Sequence, residues 1–394
     1  MRNIIGSPAE GDDFFNRPKA LAKLRRELDN LANILLVAPR RVGKTSLVLR
    51  LCEEWRTDPK RKAVFINVEG RGDELAFAEK LVEEFARAGL HPEILTRAMG
   101  VFSKIRQGIG GKGIKVPGLE VSLGEAADAD HSTLGKVLES VFRKIEDGDS
   151  QVLIAIDELP ELLLTLQKED DGPKRVIALL HWLRELRQTY RKKIRWVFLG
   201  SIGLDNFVEE QRLQKLINDL QVFTLEAFSA EEADAFLRVL GDSNKLSLTA
   251  DEREEIIRLV GWPLAYHLHL VFHELLDMES ERSIAKAFDS LLKPEKLGYF
   301  DTWRERIDAQ FSAPDAASCK AILGDLCKHP AGRERGHVLA VLMAKPTADV
   351  DKVEEQLARL LIVLQRDGYL LESGGRYTFR SFLLREYWHR RNGS

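Results

Sequence analysis

The sequence predicts an α/β fold, a parallel sheet with helices on both faces, followed by a largely helical C-terminal half. Three observations predict it. Apolar runs at 34–37, 63–68, 151–156 and 194–199 have strand length without polar alternation, as strands buried on both faces do. Stretches of helical spacing separate them. After a short strand at 222–225 the strand signal stops until a glycine-punctuated hairpin at 369–379.

Taken in order, residues 18–31 carry Leu21, Leu24, Leu28 and Leu31 on one face, with Pro18 suited to a first helical turn. Strand 34–37 then runs into a glycine-containing loop and an amphipathic helix bearing Leu47, Val48 and Leu51. Strand 63–68 and a helix over 73–88 complete a β-α-β-α beginning. Residues 107–123 turn Gly-rich around Pro117-Gly118, which predicts a β-hairpin insertion. Lys104, Arg106, Lys112 and Lys115 make it mildly basic, either a solvated tip or a contact for a partner or nucleic acid. A helix over 132–145 feeds strand 151–156, which ends in Asp157-Glu158. A helix over 173–190 leads to strand 194–199, with Ser201 just beyond it.

Ser229 and Glu232 have capping-box spacing and open a helix through Leu240. A helix over 249–260 follows. Beyond Gly261-Trp262-Pro263, a third helix carries Leu264, Leu268, Val271, Phe272 and Leu275 on one face. Helices at 317–328, 336–343 and 350–366 with the terminal hairpin read as a winged helix. The third helix exposes Asp351, Glu354 and Glu355 beside Lys352 and Arg359, an acid content that would repel phosphates. Arg376, Arg380, Arg385, Arg390 and Arg391 could still form a basic edge. The expected domains are therefore 1–227, 228–312 and 313–394.

The chemistry is concentrated in Ala38-Pro39-Arg40-Arg41-Val42-Gly43-Lys44-Thr45-Ser46, between a strand and a helix. Backbone amides, a lysine ammonium and a helix N-terminus there converge on phosphate oxygens, and the hydroxyl of Thr45 is placed for Mg²⁺. Ala38 replaces the first glycine of the usual form. Asp157 ends a buried strand, where it can hold Mg²⁺ through its water shell, and Glu158 can polarise the attacking water. The plainer alternative is a helix-capping pair ahead of Leu159-Pro160. Ser201, at the end of another parallel strand, is placed to hydrogen-bond a γ-phosphate or water. The expected ligands are ATP and Mg²⁺.

Composition bounds the rest. A chain of 394 residues exceeds one ordinary core, and its net charge of -3 gives no whole-protein argument for nucleic-acid binding. Cys52, Cys319 and Cys327 lack metal-site spacing and cannot all pair. With no spanning apolar run and no signal-peptide core in the sequence, a cytoplasmic location is expected, with no membrane contact.

On these residues the chain resembles the archaeal-type ATPase family in the AAA+/STAND branch of P-loop NTPases. The likeness rests on Gly11-Asp12-Asp13-Phe14-Phe15-Asn16-Arg17, the 38–47 loop, Ile156-Asp157-Glu158-Leu159-Pro160, and 377–388 in the terminal wing. It implies a P-loop NTPase sheet, a helical lid and a C-terminal winged helix of origin-recognition type. It implies that Phe14, Phe15 and Arg17 pack along the adenine, although they also suit a hydrophobic staple for the first helix. It implies that Pro263 brings the lid to the nucleotide. No sensor-type arginine follows Pro263, since Leu264-Ala265-Tyr266-His267-Leu268 stands there. Arg212 is the candidate trans-acting arginine finger. Two functions lead: an ATP-dependent switch controlling a protein partner or homo-oligomer, and a nucleic-acid-binding ATPase using the winged helix and basic hairpin. A scaffold that holds nucleotide without turnover is the third.

Overall fold

A computed structural model describes residues 1–15, 17–107, 129–200, 203–278, 282–343 and 349–392. The chain divides into two compact units, one of residues 16–37 with 44–224, the other of 1–15, 38–43 and 225–394. The first begins with α1 (Pro18–Asp29), β1 (Asn33–Val37), α2 (Lys44–Trp55), β2 (Arg61–Asn67), α3 (Glu74–Arg87) and α4 (Pro92–Arg106). It continues with α5 (Ala129–Glu146), β3 (Gln151–Asp157), α6 (Leu159–Gln167), α7 (Gly172–Thr189), β4 (Ile194–Leu199), α8 (Leu204–Glu210) and β5 (Leu220–Thr224).

Its five strands are all parallel, in the order β2-β3-β4-β1-β5. All six residues of β4 and the last six of β3 are buried, which explains their mainly apolar character; Arg195 is the exception within β4, and Asp157 ends β3. An aromatic stack fills one side of the sheet: Trp196 lies 5.8 Å from Phe198 and 5.6 Å from Phe142. One buried charge is fully answered. Arg187, its side chain 2% exposed, donates to both carboxylate oxygens of Asp219 at 2.8 Å and to the Leu216 carbonyl. The expected hairpin at 107–123 falls almost wholly in 108–128, outside the described residues; α4, which precedes it, ends at Arg106.

The second unit contains α9 (Ala230–Ser243), α10 (Ala250–Val260), α11 (Ala265–Leu276), α12 (Ile284–Leu291) and α13 (Gly298–Gln310). Both α9 and α10 open on complete capping boxes, Ser229 with Glu232 and Thr249 with Glu252. Then come α14 (Ala313–Leu326), β6 (Arg333–Glu334), α15 (Arg335–Leu342), α16 (Val350–Arg366), β7 (Leu370–Ser373), β8 (Arg376–Phe379) and α17 (Phe382–Asn392). The small antiparallel sheet, ordered β6-β8-β7, accompanies three helices in the order of a winged helix, an arrangement consistent with the helical lid and winged helix expected from sequence.

All three cysteines are free and buried. Burial pushes the Cys52 and Cys319 thiols up to about 12, and raises that of Cys327 as well. Among the described residues, no helix is long and apolar enough to cross a membrane.

Candidate nucleotide site

The strand order positions the acids. β4 lies between β1 and β3, so the loop leaving β1 and the residues ending β3 emerge at one edge of the sheet, about 10 Å apart at the backbone. The side chains close that gap. Thr45, in the first turn of α2, donates its hydroxyl hydrogen to Asp157 Oδ2 at 2.8 Å. Lys44 opens the same helix and is buried. The first turn of α2 follows the loop directly, so the positive end of its helix dipole faces the place where an anion would sit. Within the loop Gly43 has φ +98°, which an L side chain adopts only under strain, so the glycine is required by torsion. Arg41 is also left-handed, at φ +66°.

Asp157 is 2% exposed. Its Oδ1 accepts the Glu158 amide at 3.0 Å, and that amide also donates to the Leu199 carbonyl at the end of β4. Burial pushes the Asp157 carboxyl up to about 6, with the neighbouring Glu158 charge adding to the effect; the Thr45 hydrogen bond and Lys44 work against it. Glu158 itself has φ +61°, a conformation that costs a non-glycine residue about 1–2 kcal/mol. It stands at the N-cap of α6 but makes no side-chain cap bond, so capping does not account for its carboxylate.

In the other unit, the Arg41 guanidinium carbon lies 4.3 Å from the Tyr266 ring centroid, and burial lowers its pKa. Gly261 ends α10 at φ +73°, and Trp262 beyond it is 5% exposed with the Arg380 guanidinium 4.6 Å from its ring. Gly368 faces that ring so closely that an added Cβ would stand 2.2 Å and 2.5 Å from two Trp262 carbons and 3.4 Å from Pro39 Cβ. The Pro263 carbonyl accepts the Phe228 amide at 3.2 Å. Phe15 meets Phe228 and Phe236 edge-on at 5.6 Å and 5.3 Å, while Phe14 is half-buried at the end of a short turn over Gly11–Asp13. The N-cap of α1 is Arg17, itself buried, so the staple position before it falls on residue 16 and on neither phenylalanine.

Ser201 lies outside the described residues. Arg212 is exposed, in a turn after α8, with φ +58°. A cavity of about 660 Å³ lined by Glu74, Arg175 and Trp182 contains none of the predicted site residues. Sequence reading missed the grip of Tyr266 on Arg41 and of Trp262 on Gly368. Both join residues more than 100 positions apart; the only local signal was the glycine ahead of Tyr369.

The arginines of the supposed basic edge are engaged by acids or carbonyls. Arg376 binds the Ala331 and Gly332 carbonyls and Glu334; Arg380, Arg385, Arg390 and Arg391 pair with Glu226, Glu386, Asp289 and Asp301. On α16, Arg359 pairs with Asp315 and Lys352 with Asp349.

A phosphate loop after β1, an acid pair after β3 and a strand between them define a P-loop ATPase of the AAA+ type. The chain belongs to the family described as an ATPase domain predominantly from Archaea, whose model matches residues 14–266. Among solved structures it is similar to the Walker-type ATPase PABY2304 of Pyrococcus abyssi, at 16% identity and TM-score 0.66, covering 99% of this chain and 100% of that one. It is also similar to the Aeropyrum pernix ORC2 protein in its ADPNP-ADP complexes, at 13% identity and TM-score 0.54, over 100% and 98% of the two chains. At these identities the likeness is one of fold. No curated protein matches the sequence significantly.

Proposed function

We propose that this ATPase is a magnesium-dependent molecular switch of the STAND type whose nucleotide state controls a protein partner. The observation that carries the reading is the 2.8 Å bond from Thr45 to Asp157, which brings the phosphate loop and the strand-end acid to one point. The loop N–H groups of Ala38, Arg40, Arg41, Val42 and Gly43, with those of Lys44, Thr45 and Ser46, would cradle the phosphates, while Pro39, which has no N–H, would fix the turn of the loop. The Lys44 ammonium would reach the β- and γ-phosphates.

Thr45 and Asp157 would hold Mg²⁺, which supplies charge neutralisation at the phosphates during transfer. The donor set fits a hard cation: both groups offer oxygen, and the Asp157 carboxyl, held near 6 by burial, gains when a positive charge is placed beside it. Glu158 would take the proton from the attacking water. Ser201 would orient that water, and Arg212 would act on a neighbouring copy. Phe14, Phe15 and Arg17 would flank the adenine, with Pro263 contributing from the lid. The functional divisions proposed are 1–227, 228–312 and 313–394, in a cytoplasmic protein.

Replacing Glu158 by Gln tests the reading. ATP binding should persist while hydrolysis is lost; unchanged turnover would remove Glu158 as the base, and absence of binding by the unaltered chain would remove the switch. A switch further requires a partner to bind the ATP and ADP states with different affinity. The nucleic-acid reading is less supported, because the C-terminal arginines that would serve it are paired; Lys112 and Lys115 of the expected hairpin lie outside the described residues. Retention on DNA at low salt, lost steeply as salt rises, would restore it.

A further inference from the structure

Among the described residues, β2 is the outermost strand on one side of the first unit's sheet, and its outer edge has distinctive chemistry. Its backbone direction follows from two bonds: the Gln151 amide donates to the Lys60 carbonyl, and the Val68 amide to the Asp157 carbonyl. In a parallel pair alternate residues face the neighbour, so even-numbered residues 60–68 address β3 and residues 61, 63, 65 and 67 turn their amides and carbonyls outward. The Arg56 guanidinium binds the outward Ala63 carbonyl. Among the described residues, none outside the sheet bonds the Phe65 backbone. A groove of about 420 Å³ runs along this edge, lined by Arg56, Arg61 and Lys62, by Phe65, and by Glu84 and Arg87 from α3. Four cations thus face one carboxylate, and that carboxylate already binds Arg87 and Lys80. Arg61 is shared with Asp29 and Asp58, whereas Lys62 has no ion pair among the described residues.

From this geometry we propose that the β2 edge docks an extended, acidic segment of a protein partner, which adds a sixth strand to the sheet. Main-chain pairing at Phe65 and Asn67 gives the segment its register, and its carboxylates meet Lys62 and Arg87 on one face and Arg56 and Arg61 on the other. Edge cations commonly discourage pairing between like chains; here the same cations would select for an acidic strand. The site is separate from the nucleotide reading and is testable without nucleotide.

The probe is a fluorescein-labelled peptide of alternating valine and glutamate, titrated with the full chain and followed by fluorescence anisotropy. Saturable binding is expected. The same peptide N-methylated at every peptide nitrogen keeps its charge and should bind at least about tenfold more weakly. The double variant Lys62→Glu, Arg87→Glu should lose about tenfold in affinity while still binding ATP. Equal binding of the N-methylated and unmodified peptides would overturn the proposal, and so would equally efficient displacement by an oligothymidylate of matched charge, which would indicate a plain anion groove. Should the double variant fold poorly, the methylation comparison on the unaltered chain decides alone.

Discussion

Replacing Gly368 by alanine probes the seat of Trp262. Two penalties arise. The residue has φ +86°, which costs an alanine about 1–2 kcal/mol. The new methyl would stand 2.2 Å from a Trp262 ring carbon, so the ring must retreat by more than about 1 Å to reach ordinary contact, an overpacking cost of about 1–3 kcal/mol. Retreat is restricted, because Arg380 stacks on that ring and the following Pro263 carbonyl is bonded to the Phe228 amide. A total of about 3 kcal/mol corresponds to a fall of about 6–12 °C in the melting temperature of this unit. Calorimetry is the suitable assay, since it resolves separate transitions in a chain of two units. Trp262→Ala alone should cost about 3–5 kcal/mol by leaving a cavity. In the double variant the clash is gone, so its cost should fall short of the sum by about 1–3 kcal/mol. A Gly368→Ala melt within about 1 °C of the parent, or strict additivity in the cycle, would refute the packing argument.

Thr45→Val keeps the shape of the side chain and removes its hydrogen-bond donor, so ATP affinity in the presence of magnesium should drop about tenfold with little change in its absence; titrations at several magnesium concentrations check this. Asp157→Asn should abolish hydrolysis yet stabilise the nucleotide-free protein above pH 6 by about 2–3 kcal/mol. The raised carboxyl gives stability that is present below its unfolded value and lost as pH rises through about 6. His267 and His269 act in the opposite direction. Burial holds them down to about 3 and about 4, so their contribution is complete above pH 6.5 and declines on acidification, by about 2 kcal/mol each at pH 5. Urea midpoints of the double variant His267→Leu, His269→Leu should accordingly depend less on pH than those of the parent. Asp219→Ala strands the buried Arg187 guanidinium and should cost about 3 kcal/mol, read from a denaturant midpoint.

The strands that carry the loop and the acid pair were legible because each is a local pattern: an apolar strand followed at once by the residues proposed to do the chemistry. Helices α9 and α16 were equally plain, one through its capping box, the other through its apolar stripe. Helices without such signals escaped notice. α4 starts after His91, which makes no cap bond, and α13 starts on a glycine after Leu297, so neither has a polar cap to mark its entry. The pairing of the C-terminal arginines was hidden for a different reason. Sequence shows the arginines, whereas the acids that answer Arg376, Arg380 and Arg390 are 42, 154 and 101 positions away, brought near only by the tertiary fold. The left-handed turn at Glu158 was equally invisible, since it depends on the Leu199 carbonyl catching its amide.

The three sealed thiols give the molecule a built-in pair of clocks. In the native protein a thiol-directed dye meets no exposed, ionised sulfur, so labelling has to wait for opening. Cys52 sits in the helix that follows the phosphate loop, and Cys319 and Cys327 belong to the other unit. Variants that keep only one of these sets would therefore time the loosening of each unit separately, with and without nucleotide, using no added probe site.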